Sequence, residues 1–323
     1  MRLTRRAWLS LVALVAWTAG TTLGSVSNRV DVAIAQSASP TIEVGPAHAG
    51  YVPTLDGRKP IFVLLLGSDA RPGEPVDRER TDSIHILAIN PAKHRASILG
   101  FPRDLYVAIP DHGTNKINSA MFYGGTDLAV QTVEQLTGIS LDYWALTSFD
   151  GFQGMVNGVG GLTVDVPFAM HDSYSRADFE PGVQKLDGGQ ALAFARDRHS
   201  LPQGDFGRSE NQGRLMIASL MQFRKEFRKD PSRLLTWLGA GLRNLQTDVP
   251  IDQLLSLAFT ASAINPKHVV NVVAPGTIGT SGNMSVVNLA SGAQAIFDDL
   301  KNDGMIAKKN IPPSPNQSLL GGE

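Results

Sequence analysis

The chain has 323 residues, 42% hydrophobic and 18% charged, with a formal net charge of −1. That is globular composition, long enough for one large domain or two small ones, and its near-neutrality argues against coating nucleic acid by bulk charge. No cysteine is present, which excludes disulfide frameworks, thiolate metal sites and cysteine nucleophiles together.

At the N-terminus, Arg2, Arg5 and Arg6 precede a stretch without charge from Ala7 to Asn28. At about 1.5 Å rise per residue this stretch is long enough to span a hydrocarbon core of roughly 30 Å. The basic flank predicts a single-pass anchor over 1–30, with the remainder on the extracytoplasmic side of the cell membrane. The alternative is a signal peptide cleaved near Ala35, since Ala33-Ile34-Ala35 resembles a small-x-small cleavage site and TRRAWLS a twin-arginine signal. Both readings export residues 36 onward. Residues 31–59, rich in Ala, Ser, Pro and Gly without periodicity, read as a linker.

The globular part is expected over 60–304. It opens with the apolar run Ile61 to Leu66, a strand buried on both faces. DSIHILAIN (82–90) and RASILGF (95–101) read as two further strands around a turn at Asn90-Pro91. In the first of them, alternation turns His85 toward solvent. A helix is expected from Asp127 to Leu136, stopped by Gly138. DYWALTS reads as a strand, FDGFQGMVNGVGG as a helix and LTVDVP as a strand. Asp187 reads as the N-cap of DGGQALAFAR. A long helix from Gly207 to about Arg228, two helical stretches in 231–264, a strand at 268–274 and a closing helix complete the domain. Strands interleaved with helices predict an α/β fold, a mixed central sheet sandwiched between helices. Residues 305–323, with three prolines and no pattern, are expected to be disordered.

Four short blocks carry charge beside strand ends or glycines: GSDAR (67–71), RTDS (80–83), FPRDL (101–105) and FARDRHSLPQGDFGR (194–208). Ligands of open α/β sheets lie beyond the carboxyl ends of strands, where Asp69 falls. Asp69 and Asp82, with no His or Cys nearby, suit a hard cation such as Mg²⁺ or Mn²⁺. Arg80, Arg103, Arg196, Arg198 and Arg208 form a cationic side suited to phosphate oxygens, against the alternative of surface ion pairs. Lys116 and His199 are weaker polar candidates. Arg224, Lys225, Arg228 and Lys229 read as a solvated helix face. There is no HExxH, GxSxG, Walker or dinucleotide glycine motif.

In order, GSDAR, RTDS, FPRDL, KINSAMFYGG, FDGFQGMVNGVGGLTVDVP and DGGQALAFARDRHSLPQGDFGRSENQ resemble the LytR-CpsA-Psr family of envelope phosphotransferases. The likeness covers residues 60 to about 225. It implies transfer of a glycopolymer from a polyprenyl-pyrophosphate carrier to a peptidoglycan acceptor, with release of polyprenyl phosphate. The anchor fits such a membrane-bound protein, and the near-neutral charge gives no expectation of a nucleic-acid partner. Asp69 and Asp82 would be the metal carboxylates. Arg80, Arg103, Lys116, Arg196, Arg198, Arg208 and Gln212 would surround the pyrophosphate, with Arg80, Arg103, Asp205 and Arg208 closest to the chemistry. Asp82, Asp104 and Asp205 stay open as the general base. Asp197, pointing away on an extended chain, is placed outside the site. Phe149, Phe152, Val156 and Leu220 would line the isoprenoid pocket, with core packing as the alternative for each. Asn211 departs from the family's frequent arginine before the glutamine.

Overall fold

The computed structural model describes residues 59–320. The expected anchor or signal segment and nearly all of the linker lie outside the described residues. Among the described residues no helix is long and apolar enough to cross a membrane.

The chain enters through β1 (Ile61–Ser68), β2 (Thr81–Asn90) and β3 (Arg95–Gly100), then the hairpin β4 (Tyr106–Ile109) and β5 (Gly113–Lys116). Helix α1 (Ser119–Thr137) is followed by β6 (Tyr143–Thr147), α2 (Phe149–Gly158) and β7 (Leu162–Val166). The short strands β8 (Met170–Asp172), β9 (Ala177–Phe179) and β10 (Gly182–Leu186) lead into α3 (Gly188–Arg196) and the long α4 (Asp205–Lys229). Then come α5 (Arg233–Leu242), β11 (Gln246–Thr247), α6 (Ile251–Ala263) and β12 (Val269–Val273). The hairpin β13 (Gly276–Ser281) and β14 (Met284–Leu289) and helix α7 (Ala293–Asp303) close the order.

Six strands form the central mixed sheet in the order β11-β6-β1-β2-β3-β12. β2 runs antiparallel to both β1 and β3, while β6 and β12 add parallel strands on either side. Alternation along β1 explains why both faces are covered. Phe62, Leu64 and Leu66 enter one apolar cluster with α1 and α7, through Met121, Leu128, Val133, Ile296 and Phe297. Ile61 and Val63 face a second cluster with Ile264, on which Leu220 of α4 and Leu257 of α6 pack. A third cluster lies beside the sheet, where α2, β7 and α3 bury Val156, Val164 and Phe194 against Leu215 and Ala218 of α4.

Local signals set the helix ends. Asp187 caps α3 in a reciprocal capping box with Gln190, and the Ser148 hydroxyl caps α2. α1 begins eight residues before the expected start, because a helical turn precedes a kink at Gly124 and Gly125, where Gly125 takes φ +70°. Its end at Gly138 is left-handed, as expected.

Two expectations need correction. His85 is fully buried rather than solvent-facing, because α4 lies across that face of β2. Residues 305–320 are not patternless: they form two 3-10 turns and bury Asn316 completely.

Candidate active site

The site begins where β1 ends and β2 starts. A register shift between Gly67 and Ser68 carries the chain outward, and the Asp69 amide donates to the Arg80 carbonyl at 2.9 Å. Asp69 and Asp82 are thereby brought close enough for their charges to interact. Burial first, and then Asp82, push the Asp69 carboxyl above the usual range, against the pull of Arg71, Arg196 and Arg103. Asp82 goes the other way: burial opposes its ionisation, but Arg208 and Arg103 outweigh it and hold the carboxyl below the usual range.

Arg103, on the loop after β3, links three parts of the chain. Its Nη1 donates to Asp82 Oδ1, its amide donates to Asp205 Oδ2 at 2.9 Å, and its Nε stands 3.8 Å from Asp205 Oδ1 without a hydrogen bond. Arg208, one turn into α4, pairs with Asp205 at 2.5 Å and has a side chain only 6% exposed. Gln212, one turn further, donates from Nε2 to the Ala195 carbonyl at 3.1 Å and to the Asp82 carbonyl at 3.4 Å. The α4 spacing places Asp205, Arg208 and Gln212 on one face of the helix.

Arg196 does not stand on an extended chain as expected; it is the last residue of α3, and its guanidinium lies over the Phe149 ring at 4.7 Å. Arg71 approaches the same ring at 5.6 Å and pairs with Asp69 at 3.3 Å. Arg198, half-buried, is near enough to Arg208 for the two charges to oppose one another. Lys116 pairs with Asp104 at 3.1 Å, one residue from Arg103. Arg80 stands exposed, with no ion pair among the described residues.

A cleft of about 630 Å³ opens beside this cluster, lined by Arg71, Phe149, Asp150, Gln153, Tyr174, Arg176, Asp187, Gln190 and Arg196, among others. Sequence reasoning missed Tyr174 and the acids and amides here, because nothing local marks them as converging. The expected lipid-lining set divides. Phe149 lines the cleft, Phe152 and Val156 pack into the lateral cluster, and Leu220 packs on the sheet's second cluster. The four therefore share no surface. Asp197 is fully buried; it accepts hydrogen bonds from the Ser200 amide and hydroxyl and so shapes the turn that carries Arg198. His199 meets Asp172 at 3.1 Å and lies against Tyr174, with ring centres 4.6 Å apart. Asn211 is buried and points to Asn316, at 3.4 Å from its Nδ2.

Among the described residues no cluster of three or more His, Asp or Glu side chains offers a metal cage. Asp69 and Asp82 nonetheless fit a hard divalent ion that keeps waters and substrate oxygens, because a cation would relieve the repulsion between them.

The fold is a mixed-sheet α/β sandwich that brings the buried Arg208 and the part-buried Arg103 beside the carboxylates Asp69, Asp82 and Asp205. The chain belongs to the LytR_cpsA_psr family, whose model matches residues 26–302. It is 38% identical over 205 residues to a protein of Oceanobacillus iheyensis named polyisoprenyl-teichoic acid–peptidoglycan teichoic acid transferase TagU, covering 61% of each chain. The solved structure of TagV from B. subtilis superposes with a TM-score of 0.63 at 28% identity, over 76% of this chain and 95% of that one. A structure of the family protein YwtF (TagT) with bound octaprenyl pyrophosphate lipid gives a TM-score of 0.59 at 25% identity, over 76% and 91%. These likenesses agree with the expected fold: a central mixed sheet between helices.

Proposed function

We propose that the chain is a phosphotransferase that moves a glycopolymer from a polyprenyl-pyrophosphate carrier to peptidoglycan and releases polyprenyl phosphate. The observation that carries this is the Arg103–Asp205–Arg208 knot beside the Asp69–Asp82 pair. Asp82 and Asp205 balance Arg103 and Arg208, so the cationic charge left for a further anion is that of Arg196 and Arg198 beside them, which a pyrophosphate would meet bidentately. The names of the relatives, with a polyisoprenyl-linked donor in one and a bound octaprenyl pyrophosphate in another, support the same reading.

Phosphoryl transfer depends on positioning and charge neutralisation more than on covalent chemistry by the protein. Arg103 and Arg208 hold the phosphate oxygens, with Arg196 and Arg198 beside them. The acceptor hydroxyl attacks the glycan-side phosphorus, the bond from that phosphorus to the bridging oxygen breaks, and polyprenyl phosphate departs with the electron pair. The hydroxyl proton passes to a carboxylate of the cluster. Asp69 and Asp82 would hold Mg²⁺ or Mn²⁺, which when bound would stabilise negative charge on the transferred phosphate. Sugar units of the donor enter the 630 Å³ cleft, where Asp150, Gln153, Asp187 and Gln190 meet hydroxyls and Phe149 and Tyr174 offer ring faces. The isoprenoid packs in the layer between the sheet and α4 and α6, where Leu65, Leu87, Leu220 and Leu257 are only partly buried. The site works on the extracytoplasmic side of the cell membrane, where donor and acceptor meet.

The test supplies labelled lipid-linked polymer with and without peptidoglycan, and with Mg²⁺ or a chelator. Label on the wall only when acceptor and Mg²⁺ are both present is the expected result. Polymer released equally well without acceptor would make the protein a phosphatase. Tight binding without turnover would make it a carrier-binding protein, and full transfer under chelation would remove the metal from the scheme.

A further inference from the structure

Helix α4 presents two faces in its first turns. Asp205, Arg208 and Gln212 look toward the site, whereas Gly207, Glu210, Asn211 and Arg214 share a second face at i, i+3, i+4 and i+7. The segment 314–316 lies on that second face. Asn316 Nδ2 donates to Glu210 Oε2 at 2.9 Å and to the Gly207 carbonyl at 3.2 Å. Ser314 Oγ reaches the two Glu210 carboxylate oxygens at 2.7 and 2.8 Å and accepts from the Asn316 amide at 3.2 Å. Arg214 supplies the remaining contact to Glu210, at 3.1 Å. Glu210 is thus a buried carboxylate whose partners come largely from a segment more than a hundred residues away.

The helix is shaped for this contact. A Cβ on Gly207 would stand 2.4 Å from Asn316 Oδ1, so only glycine admits the asparagine there. A Cβ on Gly213 would stand 2.0 Å from Asn271 Oδ1, and Asn271 of β12 donates to the Glu210 carbonyl at 2.9 Å. The helix is gripped from two flanks over the same turns that carry Arg208 and Gln212. Residues 314–316 lie beyond the stretch 26–302 matched by the family.

We propose that 314–316 is a strap that sets the position of α4, with Asn316 and Glu210 as positioning residues for Arg208 and Gln212. The inference rests on the reading that Arg208 binds the donor's pyrophosphate. A buried, multiply bonded carboxylate fixes the rotation of its helix, because turning or sliding α4 breaks several hydrogen bonds to Glu210 at once. Freeing the strap lets the first turns of α4 shift, and the guanidinium fork of Arg208 loses its alignment without any change in its chemistry.

The experiment measures inorganic pyrophosphate affinity and amide hydrogen exchange on the full chain and on variants below their melting temperatures, with Arg208→Ala as reference. Asn316→Ala is expected to weaken pyrophosphate about tenfold and to speed exchange at 207–214 while the central sheet stays protected. Asn316→Asp, which sets a second carboxylate against Glu210, is expected to weaken binding as much, and adding Glu210→Gln to restore most of it. If Arg208→Ala weakens binding and Asn316→Ala does not, the strap is a stability tie only and the inference falls. If neither weakens binding, the anion site lies elsewhere and the inference falls with that reading. Where Asn316→Ala fails to fold, Ser314→Ala carries the same comparison.

Discussion

Arg208 and His85 are neighbours in charge but opposites in state. Arg208 stays cationic beside Asp205 and Asp82, and its fork is the part a lysine lacks. Arg208→Lys is therefore expected to lower kcat/KM for transfer about 10²-fold, the loss typical of removing a preorganised donor, in steady-state assays. His85, held between Ser83 Oγ and the Ser209 carbonyl at 3.1 Å each, is pushed down to about 4, chiefly by burial and further by Arg208, with the Ser209 carbonyl opposing. The unfolded chain protonates this histidine near 6.5 while the native chain does not, so stability falls as pH drops from about 6.5 to about 4 and this contribution is flat below that. The loss reaches about 3 kcal/mol, and His85→Phe is expected to flatten the urea-unfolding profile across that window. At this scale the sequence marked charged residues that the fold brings together, but not their poses. GSDAR, RTDS, FPRDL and GDFGR mark Asp69, Asp82, Arg103, Asp205 and Arg208, which the fold gathers. The alternation that turned His85 outward assumed one wet face, and α4 covers both His85 and its strand.

Elements were legible where their signals are local. The apolar run of β1, the Asn90-Pro91 turn, the Asp187 cap and the Gly138 stop each rest on a few adjacent residues. The strap was not legible, since Ser314 and Asn316 find their partners on a helix far back in the chain, and proline-rich composition alone reads as disorder. The short hairpins β4–β5 and β8–β9 went unread because strands this brief carry too few residues to show a period, and β13–β14 because GTIGTS offers a single apolar residue, Ile278, and no alternation. The spacing of β3 from α4 is set by Gly100, where a Cβ would lie 2.2 Å from Ser209 Oγ and 2.9 Å from His85 Nε2. Gly100→Ala is expected to destabilise by about 1–3 kcal/mol in chemical unfolding, and Ser209→Ala in the same chain to recover part of that by removing the nearer atom.

On the scale of the whole molecule, α4 borders every apolar cluster described. Phe206 enters the cluster with α1 and α7, Leu215 and Ala218 the lateral cluster, and Leu220 the layer toward α6. A change of length or tilt in this helix is felt by all three. The turn between β8 and β9 puts Tyr174 over the cleft, 78% exposed, without binding it to the sheet. On the proposed function, exchanging the β8–β9 tip is expected to change which sugars are admitted. Because Tyr174 and Asp172 also hold His199, one residue from Arg198, the exchange reaches the edge of the cationic cluster as well.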